Sequence, residues 1–256
     1  MRLRTLLVPL LLLSIACGAG PGDLFKQYEY EEETYLSLDG SATVYVNSSV
    51  PALNQLRGAA FDPAEDAVLD KAAVADFFSG PGVTVRRVTF SRRNGRNYLH
   101  VRMDVDDVRR LGSSRPFGWS SYAFARDRDL MVYRQRVGAA VQASNDPPHP
   151  PSWTGDEIVG FRIHIPSKVP YHNAGADNLK RGNILVWEQA LSDRLAGREL
   201  DMEVRMETQS ILYRTLALFG ITIVLVGILF AILLWWIVRV KGREQLQRAG
   251  VARHRS

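Results

Sequence analysis

Apolar residues follow three rhythms along this chain. From Thr215 to Val238 they are unbroken: TLALFGITIVLVGILFAILLWWIV holds about 24 residues without a charge. At ~1.5 Å per residue, a helix of that length crosses the roughly 30 Å hydrocarbon layer of a bilayer. A helix packed on a soluble core is rarely apolar on every side for so long. The pattern predicts one transmembrane helix over 211–238.

Upstream, apolar and polar positions mostly alternate with period two, the signature of strands with one buried face. Leu36 and Leu38 run into Asp39-Gly40, after which Ala42, Val44 and Val46 alternate with Thr43, Tyr45 and Asn47, predicting a hairpin of strands near 30–38 and 41–47. Val88 and Phe90 precede Asn94-Gly95, a type I′ turn pair, and Leu99, Val101, Met103 and Val105 alternate with His100, Arg102 and Asp104. Val83 and Val85 have the opposite parity to Val88 and Phe90, which predicts a bulge at Arg86-Arg87. Further strands are expected at 119–124, 130–137, 159–165 and 200–206. Asn183–Ala190, apolar on both faces, reads as a central strand.

The helical rhythm is confined to short stretches. Pro51 to Gly58 has proline in its first turn and glycine at its end. A second helix is expected over Ala64–Phe78, stopped by Gly80-Pro81-Gly82, and a turn of helix over Asp106–Gly112. Proline-rich 142–152 and polar 166–181 read as loops. The fold class expected is α+β: a mostly antiparallel β-sheet domain over 19–210 with short helices, then a single C-terminal transmembrane helix.

Met1–Gly18 has the form of a secretory leader, with Arg2 and Arg4 before an apolar run too short to span and a small-residue exit. Cys17, the chain's one cysteine, sits at that exit. Ser14-Ile15-Ala16-Cys17 resembles a bacterial lipobox with Ser14 where an aliphatic residue is usual, so Cys17 is either acylated or removed by ordinary cleavage near Ala16 or Gly18. In both cases the domain has no disulfide. Past the span, 239–256 carries Arg239, Lys241, Arg243, Arg248, Arg253 and Arg255 against Glu244 alone. The positive-inside rule then places the tail in the cytoplasm and the domain outside, with Trp235 and Trp236 at the inner interface.

The net charge is unevenly distributed along the chain. The net +5 would suit a nucleic-acid binder, but the leader holds two basic residues and the tail an excess of five, leaving the domain at −2. Nucleic acid is therefore not an expected partner. The acidic run Glu29, Glu31, Glu32, Glu33 reads as the solvated face of a strand.

Candidate chemistry is sparse. None of the five histidines stands in HExxH or beside a cysteine pair, so neither metal nor cofactor is expected. GxSxG, P-loop and GxGxxG patterns are absent. His100 and His164 fall at polar-parity strand positions, where hydrogen-bonded structural histidines are the ordinary case. The hairpin tip with Arg92, Arg93 and Arg96 is the candidate phosphate clamp, because guanidinium forks match phosphate oxygens. Lys180 and Arg181, in the polar loop, are the other candidate contacts.

The leader with its lipobox-like exit, the opening strand pair L-x-L-D-G-S-x-T-V from Leu36 to Val44, the terminal span and the basic tail together resemble the LppM-type envelope lipoproteins of bacteria. At residue level the resemblance covers the opening hairpin, and of functional positions Cys17 alone. It implies an α+β exported domain linked with binding lipid headgroups or glycolipids. The expectation is a non-enzymatic, single-span envelope protein that binds lipid headgroups or an envelope protein partner close to the membrane. The alternatives are an assembly subunit of a membrane complex and an envelope hydrolase.

Overall fold

The computed structural model describes residues 26–141, 153–175, 179–180 and 183–253. The leader with Cys17, the proline-rich 142–152 segment and Arg181 lie outside them. The chain is α+β, built on two mostly antiparallel sheets.

The first sheet starts with β1 (Tyr28–Leu36) and β2 (Ala42–Ser49). Their connection is longer than the two-residue turn that Asp-Gly suggests: Asp39 Oδ1 accepts from Ser41 N at 2.9 Å and Ser41 Oγ at 2.7 Å. Gly40 takes φ +91°, which disfavours a side chain. Ser49 then caps α1 (Val50–Arg57) by accepting from Ala52 N, and Gly58 closes it in the left-handed region.

The helix expected over Ala64–Phe78 is shorter: α2 spans Lys71–Phe78, capped by Asp70. Tertiary contacts override the periodicity of the first half. Asn97 Nδ2 donates to the carbonyls of Ala64 at 2.9 Å and Glu65 at 3.1 Å, and Arg92 also donates to the Glu65 carbonyl, so both acceptors are engaged from the next hairpin.

That hairpin is β3 (Val83–Arg93) and β4 (Arg96–Val105), turned by Asn94 and Gly95 at φ +50° and +69°. Both angles are positive, as a type I′ turn requires. Its register shifts between Val85 and Arg87, where the parity change placed the bulge. Two 3-10 turns, Val108–Ser113 and Arg115–Phe117, lead into β5 (Ser120–Asp127) and β6 (Leu130–Val137).

After β7 (Ile158–His164), the polar stretch read as loop contributes two-residue strands, β8 (Tyr171–His172) and β9 (Leu179–Lys180). Then follow β10 (Ile184–Ala190), α3 (Leu191–Leu195), β11 (Leu200–Glu207) and α4 (Ile211–Arg253). The larger sheet has order β3-β4-β2-β1-β7-β10-β9 and the smaller β5-β6-β11-β8. Strand β10 is thus second from an edge and not central; its two-sided burial comes from Leu185 and Trp187 on one face and Val186 on the other. Strands β1 and β7 run parallel, the exception to antiparallel pairing in the large sheet.

The two sheets face each other across one core. Val44, Val46, Leu99, Val101, Met103, Phe161 and Ile163 come from the larger sheet, and Phe124, Tyr133, Val137, Met202, Val204 and Met206 from the smaller. Within α4, Thr215–Arg239 is an apolar stretch of 25 residues with none of its length buried by the domain. It is long enough to cross a membrane.

Candidate functional site

The hairpin tip is not a free guanidinium cluster. Arg96 is 2% exposed and pairs at 2.9 Å with the fully buried Glu29, which also accepts from Tyr98 Oη. Burying both partners makes this pair internal, and Arg96 leaves the set of ligand contacts expected from the sequence. Arg92 and Arg93 stay exposed. Arg92 reaches the Glu65 carbonyl, while Arg93 Nη2 donates to the Tyr28 carbonyl at 2.9 Å and its guanidinium lies 4.6 Å from the Tyr98 ring centroid.

Lys180 lies on β9, the edge of the sheet opposite β3. Six interstrand spacings of ~4.8 Å place these edges roughly 29 Å apart, so the two expected contact regions do not converge.

The acidic run is also divided by parity. Glu31 and Glu33 face outward, but Glu32 shares the inward side with Tyr30, Thr34 and Leu36 and is 2% exposed. It meets Arg57 Nη2 at 2.6 Å and accepts from Gln135 Nε2 at 3.1 Å across the core. Arg57 in turn lies 3.5 Å from the centroid of Trp119, whose ring has Arg194 at 4.8 Å. Burial, and then the charge of Arg57, push Arg194 down to about 10. Tyr30, Tyr122 and Tyr133 surround Glu32, with burial raising their hydroxyls well above the usual range. The solvated-face reading therefore holds for Glu31 and Glu33 and fails for Glu29 and Glu32. The signal was there in the even parity that Glu32 shares with Leu36 and Leu38.

Polar chemistry gathers instead on the outer face of the seven-stranded sheet. Strand alternation sends Thr89 and Ser91 of β3, His100 and Arg102 of β4, Tyr45 and Asn47 of β2, and Glu31 of β1 to that side. Ser91 Oγ lies 2.8 Å from His100 Nε2, and His100 Nδ1 lies 2.9 Å from Asn47 Oδ1. Asn47 Nδ2 donates to Glu31 Oε2 at 3.3 Å, and Arg162 pairs with Glu31 Oε1 at 2.9 Å. The row crosses five adjacent strands. A second histidine on this face, His164, holds Glu33 at 2.6 Å and stacks on Tyr35 with ring centroids 3.8 Å apart.

Two concavities flank His100. One, of about 330 Å³, is lined by Tyr45, Asn47, Arg87, Thr89, His100 and Arg102. The other, of about 230 Å³, is lined by Tyr28, Glu31, Ser91, Arg93, Tyr98 and His100. In the first, Arg87 and Arg102 are direct cross-strand partners, both exposed, and neither is in an ion pair among the described residues. Asp104 is occupied by Arg86 at 2.7 Å. Arg102 lies 5.7 Å from the Tyr45 ring centroid. Two exposed guanidiniums over a polar hollow suit a phosphate or another oxyanion. Among the described residues no cluster of histidine, cysteine and carboxylate side chains is set to hold a metal.

Comparison with known proteins adds a distant likeness. No family model matches the chain, and no curated protein matches it. Among solved structures, the folded domain of Mycobacterium tuberculosis LppM, determined by NMR, is similar over 72% of this chain and 92% of its own, at 11% identity and a TM-score of 0.39.

Proposed function

We propose that this is a single-span envelope protein whose exported domain binds a phosphate-bearing lipid headgroup close to the membrane, through Arg87 and Arg102. The observation that carries the reading is the pair itself: two exposed guanidiniums directly opposed in register, with no acid between them, over a hollow lined by Thr89, Asn47 and Tyr45. Like charges facing each other across strands cost stability, and an anion between them removes the cost. The contact region thus moves from the hairpin tip to the sheet face behind it.

Membrane placement rests on the apolar Thr215–Arg239 stretch and on the leader and basic tail at the two ends. Strand β11 ends at Glu207 and α4 begins at Ile211, so Thr208, Gln209 and Ser210 alone link them. A link of that length reaches at most roughly 14 Å, which holds the domain against the headgroup layer.

The test uses the full chain in nanodiscs of neutral phosphatidylcholine, offered vesicles of phosphatidylcholine with or without phosphatidylglycerol. Capture by the anionic vesicles alone, lost in an R87Q/R102Q variant, is the expected result. Inorganic phosphate at millimolar concentration separates the sources: full competition identifies free phosphate as sufficient, and undiminished capture identifies the lipid headgroup. Equal recovery with both vesicle types, or in the variant, overturns the reading.

A further inference from the structure

We propose that Ser91, His100 and Asn47 form a nucleophilic serine centre that cleaves carboxylic esters. This goes beyond headgroup binding and departs from the expectation of a non-enzymatic protein.

Asn47 has its amide nitrogen committed to Glu31, so its Oδ1 faces His100 and accepts from Nδ1–H. That fixes the tautomer and leaves the Nε2 lone pair toward Ser91, whose Oγ–H is its donor at 2.8 Å. Nucleophile, base and orienting group thus stand in the sequence that activates a serine hydroxyl, within the usual reach of about 2.6–3.2 Å. Partial burial of the imidazole, and then the positive charge of Arg93, hold the His100 pKa below its ordinary value, which favours the neutral ring that can accept the Ser91 proton.

Glu31 is itself fixed by Arg162, so the orienting asparagine is held from behind. The hollow of about 230 Å³ beside Ser91 has room for a small acyl or alkoxy group, walled by Tyr28 and Tyr98. Arg93 lines the same hollow two residues along the strand from Ser91, with its guanidinium on the Tyr28 carbonyl and the Tyr98 ring, and makes the hollow electropositive.

The step balances without a cofactor. Ser91 Oγ attacks the ester carbonyl carbon while its proton passes to His100 Nε2. The carbonyl–alkoxy bond then breaks, and His100 returns that proton to the departing alcohol. Water attacks the acyl-serine carbonyl while His100 Nε2 takes its proton; the acyl–Oγ bond then breaks, His100 returns the proton to Ser91 Oγ, and the carboxylic acid leaves. None of the familiar sequence patterns marks this centre because its members sit on three strands and come together only through sheet register.

The experiment treats the full chain in nonionic detergent with an alkyl fluorophosphonate, with the adduct located by peptide mass mapping. Attack by Ser91 on phosphorus expels fluoride and leaves a stable phosphonyl-serine. An adduct on the Ser91 peptide of the folded chain, absent after urea unfolding, is expected. H100Q should slow its formation by about 100-fold or more. N47A should slow the reaction and move the midpoint of the pH–rate profile down, and N47D should move it up, opposite responses that a purely structural asparagine would not give. Hydrolysis of p-nitrophenyl butyrate should follow the same order and vanish in S91A. The wild-type adduct needs no variant, so a variant that fails to fold leaves the test intact. No adduct at Ser91, or an undiminished rate in H100Q, overturns the proposal. Its failure is separable from that of the headgroup reading, because adduct formation needs no anionic lipid and vesicle capture needs no covalent chemistry.

Discussion

Arg57 and Glu32 meet at 2.6 Å in the space between the two sheets, with side chains 1% and 2% exposed. Arg57 also donates to Tyr30 Oη and lies over Trp119, so α1, β1 and the segment before β5 converge on one guanidinium. Removing one member leaves the other charged, buried and unpaired. Glu32→Ala or Arg57→Ala is expected to cost roughly 3–5 kcal/mol. Urea denaturation of each single variant and of the double variant checks it; the double variant should be less destabilised than the two singles predict together.

Arg87 opposes Arg102 in register, and Arg87 is in no ion pair among the described residues. Replacing it with glutamine removes repulsion and no ion pair, so Arg87→Gln is expected to stabilise the fold by about 0.2–1 kcal/mol at low ionic strength. Salt should shrink the gain. Thermal melts at low and high sodium chloride read the effect, and a loss of stability at both would show that Arg87 is held by something other than an anion.

Glu33 accepts from His164 on the outer sheet face, and that bond, more than the partial burial that opposes it, lowers its pKa below 4.5. A carboxylate whose folded value lies below its unfolded value stabilises the fold above pH 4.5 and loses that contribution as pH falls through the folded value. His164→Gln should therefore reduce stability at pH 6 and converge on the wild type as pH drops below about 4.5. Comparing the two stability–pH curves isolates this carboxylate from Asp39, Asp104 and Asp107, which are held low by bonds of their own.

Gly138 donates to the Trp119 carbonyl at 2.7 Å and accepts from Arg194. A Cβ there would lie 2.9 Å from that same carbonyl oxygen, a backbone atom that cannot rotate away. Gly138→Ala is expected to cost roughly 1–3 kcal/mol. The change should also loosen the Trp119 ring between its two arginines, seen as a shift in near-ultraviolet circular dichroism.

Orientation is testable with single thiols in a Cys17→Ser background. Val68, 97% exposed in the domain, and Ser256, at the end of the basic tail, serve as sites. With the domain exported, Val68→Cys reacts with a membrane-impermeant maleimide on intact cells, and Ser256→Cys reacts after permeabilisation. The reverse pattern would invert the topology.

What the sequence made legible were the features that depend on neighbours in the chain. Alternation at Leu99–Val105, the Asn94-Gly95 turn, the parity break at Arg86-Arg87 and the unbroken run from Thr215 all express local geometry, and all appear in the structure. The division into two sheets was not legible, because strand partners are chosen by the core. The false start of α2 has the same origin: Asn97 and Arg92 bind the carbonyls of Ala64 and Glu65. Arg96 looked like a tip residue because nothing local shows that Glu29 lies beneath it. The Ser91–His100 step follows from the Asn94-Gly95 hairpin, whereas Asn47 reaches His100 only because β2 pairs with β4, which no spacing within the chain encodes.

Strand β11 fills the place beside β6, and Arg136 and Glu199 at that ladder's end are 63 residues apart in the chain. The strand that completes the smaller sheet is also the last element before α4. Shedding and unfolding are therefore decided within a dozen residues. A protease that cuts among Thr208, Gln209 and Ser210 releases a domain with both sheets complete, whereas one that cuts ahead of Leu200 leaves β11 on the anchor and an open edge on β6.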